Sequence, residues 1–142
     1  MIKFETPNGS IIDEPNANDL RKNMIDNFPD YWHQGTGAAA ISRFDNEKCK
    51  QELLILPSDE YGIYLKYLIV KNGRVVDEWL SLEDPSRLDT CAECSYEWYA
   101  SVGLFLPIEK AWITINEFLI SGNRSNQIDW IKPEEMPDDG NW

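Results

Sequence analysis

Hydrophobic and polar residues alternate along several stretches of this chain, most regularly over residues 94–106. From Cys94 to Leu106 the even positions are mostly apolar, and the odd positions from Glu93 to Gly103 are mostly polar. A period of two residues is the pattern of a β-strand with one buried face. The sequence therefore predicts one long strand here, with its polar face turned to solvent.

The dipeptide Asn72-Gly73 separates two runs of β-forming residues, 61–70 and 74–82. Asn-Gly favours a two-residue type I′ turn, because both central positions of that turn need a positive φ. The sequence therefore predicts a β-hairpin at this point.

A regular ladder outward from this turn fixes which side chains of the hairpin share a face. It pairs Lys66 with Trp79 and puts both of them, together with Asp77, on the face turned to solvent. An ammonium group beside an exposed indole contributes about 0.5–1 kcal/mol. The alternate apolar residues of the first strand are predicted to face the core.

Two stretches have the spacing of an amphipathic helix. In the first, Asn16 or Asn18 offers an N-cap, and Leu20, Met24 and Phe28 follow at intervals of four. The element order predicts an α+β fold, in which two helices pack on one face of a curved antiparallel sheet.

The second helix is predicted between Pro107, which suits a first helical turn, and Gly122, which suits a C-cap. Residues 1–132 are predicted to form a single domain of ordinary size. Residues 133–142 contain four acidic residues and two prolines, and are predicted to be a disordered tail.

The charge of the chain narrows its possible partners. Its 142 residues include 25 acidic and 13 basic ones, for a net charge of -12. Neither nucleic acid nor an anionic membrane surface is an expected partner, since both attract basic faces. The chain has no apolar run of about 18 residues and no apolar segment near its start, so it is predicted to be cytoplasmic.

Candidate catalytic groups are few. His33 is the only histidine, and Cys91 and Cys94 form a C-x-x-C pair without a second pair. The thiols are predicted to be structural, no metal or cofactor is expected, and the protein is predicted not to be an enzyme. A metal- or thiol-dependent enzyme that uses Cys91, Cys94 and either Cys49 or His33 remains the alternative.

Strand parity gathers acidic and aromatic side chains on the predicted outer face of the sheet. This mixture is typical of protein interfaces, where aromatic side chains anchor and acids meet Lys and Arg. The alternative is that a second layer covers this face. The predicted partner-binding residues are Lys66, Asp77, Trp79, Glu93, Glu97 and Tyr99.

The C-terminal third resembles the Imm-one family of bacterial immunity proteins, the antidotes of polymorphic toxin systems. The resemblance rests on three segments: Leu106-Pro107-Ile108-Glu109-Lys110-Ala111, then Phe118-Leu119 with Gly122-Asn123-Arg124, and Ile128-Asp129-Trp130. It covers about residues 104–131. Ser125-Asn126 departs from the family pattern, which has a proline after the Gly-x-Arg step.

The resemblance implies a cytosolic protein that binds and neutralises a cognate toxin. Toxins linked to this family often act on nucleic acid, which implies a basic partner that an acidic antidote would complement. The alternative is a small acidic α+β adaptor with a partner that is not a toxin.

Overall fold

The computed structural model describes residues 1–95 and 98–142, which form an α+β fold. Its strands in chain order are β1 (Ile2–Glu5), β2 (Ile11–Asp13), β3 (Ala39–Asn46), β4 (Cys49–Ser58), β5 (Gly62–Lys71), β6 (Arg74–Leu82), β7 (Cys91–Ser95), β8 (Trp98–Ser101), β9 (Phe105–Leu106) and β10 (Asp129–Ile131). Helix α1 (Ala17–Arg21) continues into a π-helical turn over Lys22–Asp26, and α2 spans Ile108–Ser121.

Eight of these strands form one antiparallel sheet in the order β10-β6-β5-β4-β3-β1-β2, with β9 paired to β5. β7 and β8 form a separate two-stranded sheet. The predicted fold class is therefore confirmed.

Both helices pack on the same face of the main sheet, as predicted. Asn16 caps α1, since its side chain accepts hydrogen bonds from the backbone N–H groups of Asn18 and Asp19. The apolar side of α2, which includes Ile115 and Phe118, is buried against the sheet in one core with the residues of α1. Gly122 ends α2 with a φ of 75°, the left-handed conformation that glycine adopts without strain.

The single long strand predicted over residues 94–106 does not exist. This stretch ends β7, forms β8, makes a 3₁₀ turn over Val102–Leu104 and then enters β9. Gly103 lies so close to the backbone that follows β6 that an added Cβ would come 2.1 Å from the carbonyl oxygen of Asp84. The chain therefore bends at a point where the alternation alone suggested a continuous strand.

The hairpin of β7 and β8 covers the second face of the main sheet. Cys94 and Ala100 are buried there beside Tyr64, Leu80 and Phe105 in a second apolar core. The covering layer that strand parity left open as an alternative is therefore present, and much of the face predicted to be solvent-exposed is core.

The register of β6 also differs from the prediction beyond the turn. Val70 pairs with Val75 as expected, but Ile69 pairs with Asp77, which makes Val76 the extra residue of a β-bulge. A shift of one residue exchanges the two faces of a strand. Trp79 therefore lies opposite Tyr67 on the helix-covered face.

The C-terminal segment, predicted to be disordered, packs on the fold instead. Met136 is 8% exposed within the second core. The Ser101 N–H donates to the Asn141 carbonyl oxygen at 2.8 Å, and the Asn141 N–H donates to Ser101 Oγ at 3.0 Å. One apolar side chain and this pair of hydrogen bonds hold the acidic segment in place.

Within the described ranges, the helices are too short or too polar to cross a membrane.

Candidate partner-binding cleft

An open cleft of about 500 Å³ lies beside the β7–β8 hairpin. Three elements form it: the segment around His33, the end of β4 with the turn that follows it, and strand β7. The turn supplies Asp59 and Glu60, and β7 supplies Cys91 and Glu93.

His33 and Asp59 pair across the mouth of this cleft, with 2.6 Å between Nε2 and Oδ2. The pair is positioned from beneath, because the neighbouring Trp32 is buried and its indole N–H donates to the Met24 carbonyl oxygen. On the other side, the Tyr61 N–H donates to Ser58 Oγ at 3.4 Å within the turn. Both members of the pair are about half exposed and can be reached by a partner.

The cleft is acidic. Asp59, Glu60 and Glu93 are exposed side chains along it, and none of the described residues that line it is Lys or Arg. A concave surface lined by one sign of charge raises the local concentration of ligands of the opposite sign. The geometry therefore suits the Lys and Arg side chains of a basic partner.

The two thiols at this site differ in exposure. Cys91 is exposed, and its Sγ lies 3.9 Å from the carbonyl oxygen of Asp139. Cys94 is buried, and burial raises the pKa of its thiol to about 12, although the Lys66 ammonium group acts in the opposite direction. A thiol with so high a pKa is a poor nucleophile and a poor metal ligand at neutral pH. Among the described residues, no group of three or more His, Cys, Asp or Glu side chains is arranged to hold a metal ion.

Two of the predicted interface residues lie together near this cleft. Glu93 and Tyr99 are paired directly across the β7–β8 ladder, and both are exposed. Trp98, next to Tyr99, is 40% exposed. Glu97 lies outside the described residues.

Lys66 does not lie beside Trp79, which corrects the prediction for this residue. Its side chain is 14% exposed beneath the hairpin, with Nζ 5.8 Å from the ring centroid of Trp98 and 4.0 Å from Glu78 Oε2. Burial lowers the pKa of Lys66, while the nearby Glu78 carboxylate partly opposes that shift. The bulge in β6 is the reason, because it turns Trp79 away from the Lys66 face.

Asp77 and Trp79 belong to a different surface. They line a second cavity with Tyr67 and Trp130 beside the C-terminal end of α2, across the sheet from the hairpin. The predicted single face of six residues is therefore divided, with Asp77 and Trp79 on one side and Lys66, Glu93 and Tyr99 on the other.

The sequence did not predict that His33, Asp59 and Glu60 lie together at this cleft. Adjacent acids are common in so acidic a chain, and His33 lies 26 residues before its partner. Only the Pro57-Ser58 end of β4, followed by a short turn, could have indicated that these acids sit at an exposed strand end.

Comparison of the chain with protein-family models, with curated proteins and with solved structures gives no match.

Proposed function

We propose that this protein is an immunity protein that binds and neutralises a basic bacterial toxin in the cytoplasm. The observation that carries the proposal is the acidic cleft formed by Asp59, Glu60 and Glu93, with the exposed Tyr99 opposite Glu93 on the adjoining hairpin. The resemblance of residues 104–131 to the Imm-one family supports the same class of function.

The cleft and the hairpin supply complementary parts of an interface. Carboxylates along a concave surface meet Lys and Arg, and their hydrogen bonds orient the partner. Tyr99, which is 51% exposed and lies directly across the ladder from Glu93, supplies apolar area beside that carboxylate. Large aromatic side chains contribute most of the binding free energy in many interfaces.

The net charge of -12 adds a kinetic advantage. Opposite long-range fields speed the encounter of two proteins, and the acceleration falls as salt screens the charges. A toxin that acts on nucleic acid is expected to be basic, because it must approach phosphate groups. Such a toxin would be captured quickly by an acidic antidote.

The test is co-expression of this protein with the product of the adjacent upstream gene, with cell survival as the readout. We expect that the neighbouring product alone kills and that co-expression restores growth. A neighbour that is not toxic, or cell death despite well-expressed protein, would contradict the immunity function and favour an adaptor with a different partner.

A charge-matched pair of variants locates the binding surface. D59K/E93K changes the net charge by the same amount as E47K/E134K, which alters two exposed acids outside the cleft. Only D59K/E93K should abolish protection and weaken binding, by at least about tenfold in Kd. Equal effects of the two double variants would show that total charge matters and that the cleft does not.

The divided surface permits a further comparison. D77K changes an acid on the opposite side of the sheet from Glu93, so it should leave protection unchanged if the partner binds only at the cleft. Loss of protection in D77K alone would move the interface to the helix-covered side.

A further inference from the structure

Three aromatic rings surround the guanidinium group of Arg124. Its Cζ lies 4.0 Å from the ring centroid of Trp79 and 6.0 Å from those of Tyr67 and Trp130. Lys132 Nζ also lies near this cluster, 4.6 Å from the Trp79 centroid. The three rings together are termed the aromatic cage below.

Hydrogen bonds hold the rings of the aromatic cage in position. The Tyr67 hydroxyl donates to the Gly122 carbonyl oxygen at 3.1 Å, and the Trp130 indole N–H donates to the Ser125 carbonyl oxygen at 2.8 Å. The Trp79 indole N–H donates to Asp77 Oδ2 at 3.0 Å. The cage is therefore built by the fold and does not depend on the Arg124 side chain.

Arg124 itself is loosely held. Its residue is exposed in the turn that follows α2, and within the described residues its guanidinium makes neither a hydrogen bond nor an ion pair. Contact with the rings is the interaction that places it. An external group of the same chemistry can therefore compete for the same position.

The surroundings favour a cation over an anion. A cavity of about 610 Å³ adjoins the cage, and the exposed Asp129 is one of its lining residues. Asp77 also lines it, but its Oδ1 lies 3.5 Å from Lys132 Nζ in an ion pair. The chain as a whole carries a net charge of -12. The long-range field of the chain thus attracts a positively charged ligand and opposes a carboxylate or phosphate.

We propose that the aromatic cage is a binding site for the guanidinium group of an arginine side chain in a partner protein. Arg124 occupies the cage in the free protein and gives way when the partner's arginine enters. Aromatic faces bind such cations through the ring quadrupole, most strongly when the cation is removed from water. Arginine suits the site better than lysine, because its planar group stacks on indole and is more weakly hydrated.

The test uses N-acetyl-argininamide as the probe and the NMR signals of the Trp79 and Trp130 indole N–H groups as the readout. We expect the probe to shift both signals in the unmodified protein. We expect the R124Q variant to bind the probe about tenfold more tightly, because the competing side chain is gone. R74Q is the matched control, since it removes the same charge from an exposed residue outside the cavity.

Two further measurements separate the possible causes. N-acetyl-citrullinamide has the same shape without the charge, and it should not bind. W79L in the R124Q background should lose the effect of the probe on the Trp130 signal, while the unperturbed signals of the other indoles report that the variant is folded.

Several outcomes would overturn the proposal. Equal affinity in R124Q and R74Q would show that Arg124 does not compete for the site, and no shift at any probe concentration would show that the cage binds no guanidinium. Binding of N-acetyl-glutamate that R124Q abolishes would identify an anion site instead.

This proposal is independent of the proposed immunity function. The probe experiment examines the aromatic cage on purified protein, whereas the survival assay examines the acidic cleft on the other side of the sheet. Failure of either one leaves the other unchanged.

Discussion

The hydroxyl group of Tyr64 leads to a specific prediction about stability. Tyr64 is fully buried between the main sheet and the β7–β8 hairpin, and its ring packs edge-on against Phe105 at 5.9 Å. Its hydroxyl has no hydrogen-bond partner within the described part of the chain. Burial raises its pKa well above the ordinary value, with the neighbouring Cys94 and Glu78 acting in the same direction. We therefore expect Y64F to stabilise the protein.

The size of the effect follows from the desolvation of that hydroxyl. An unpaired buried polar group lowers stability by about 1–3 kcal/mol, and Y64F removes that cost. The small void left by the missing oxygen atom offsets part of this gain. The free energy of unfolding should rise by about 1–2 kcal/mol in Y64F. That change corresponds to an increase of about 3–6 °C in Tm for a chain of this length.

Tyr67, three residues further along β5, provides the matched control. It is also buried, but its hydroxyl donates to the Gly122 carbonyl oxygen at 3.1 Å. Y67F removes that hydrogen bond and should lower the free energy of unfolding by about 1 kcal/mol. The same substitution should thus have effects of opposite sign at two tyrosines three positions apart, which lie on opposite faces of β5.

Urea denaturation followed by far-UV circular dichroism measures both changes, with the slope of the transition as a check that the unfolded states are alike. If Y64F lowers stability as Y67F does, the Tyr64 hydroxyl makes a favourable hydrogen bond and the argument from its isolation is wrong.

Three other predictions concern the cores and the thiols. F118A should lower the free energy of unfolding by about 3–5 kcal/mol in urea titrations, because Phe118 is buried under α2, whereas I120A, at a site 73% exposed, should change it by less than about 0.5 kcal/mol. Alkylation by iodoacetamide, followed by mass spectrometry, should modify Cys91 in the folded protein and Cys94 only after unfolding; a rise in pKa from 9.0 to about 12 lowers the thiolate fraction roughly a thousandfold. The free energy of unfolding should fall as pH rises from 9.0 toward 12, because the Cys94 thiol ionises at lower pH in the unfolded protein than in the folded one. In C94A, the free energy of unfolding should fall less over the same pH range, because this thiol is absent. An identical pH profile in C94A would contradict the raised pKa.

Local chemistry was enough to predict the elements whose cause lies in a few neighbouring residues. Asn72 and Gly73 adopt φ values of 52° and 75°, so the hairpin turn is where their conformational preferences place it. The second helix runs between Pro107 and Gly122, because both residues act through the backbone at their own positions. The apolar stripe of that helix was likewise predictable from spacing.

The candidate site was less predictable, because it depends on contacts between distant segments. A turn fixes only the first pairs of a ladder, and the bulge at Val76 exchanges the faces of β6 beyond it. Alternation shows that a strand has one buried face, but it does not show which layer buries that face. Apolar and polar residues alternate over 94–106 because the end of β7, β8, the 3₁₀ turn and β9 each face an apolar layer. Gly103 lies in the turn that joins β8 to β9. The pairing of His33 with Asp59 has no local signal at all.

The position of β5 has a consequence for how the protein folds and opens. β5 pairs with β4 and β6 along most of its length and with β9 at its start, whereas β2 and β10 are three-residue strands at the two edges. Strands β3 to β6 follow one another through short turns, so their pairing closes small loops and carries little entropic cost. Amide hydrogen exchange should therefore be slowest in β5 and fastest in β2 and β10, with the edges opening while this four-stranded meander stays protected.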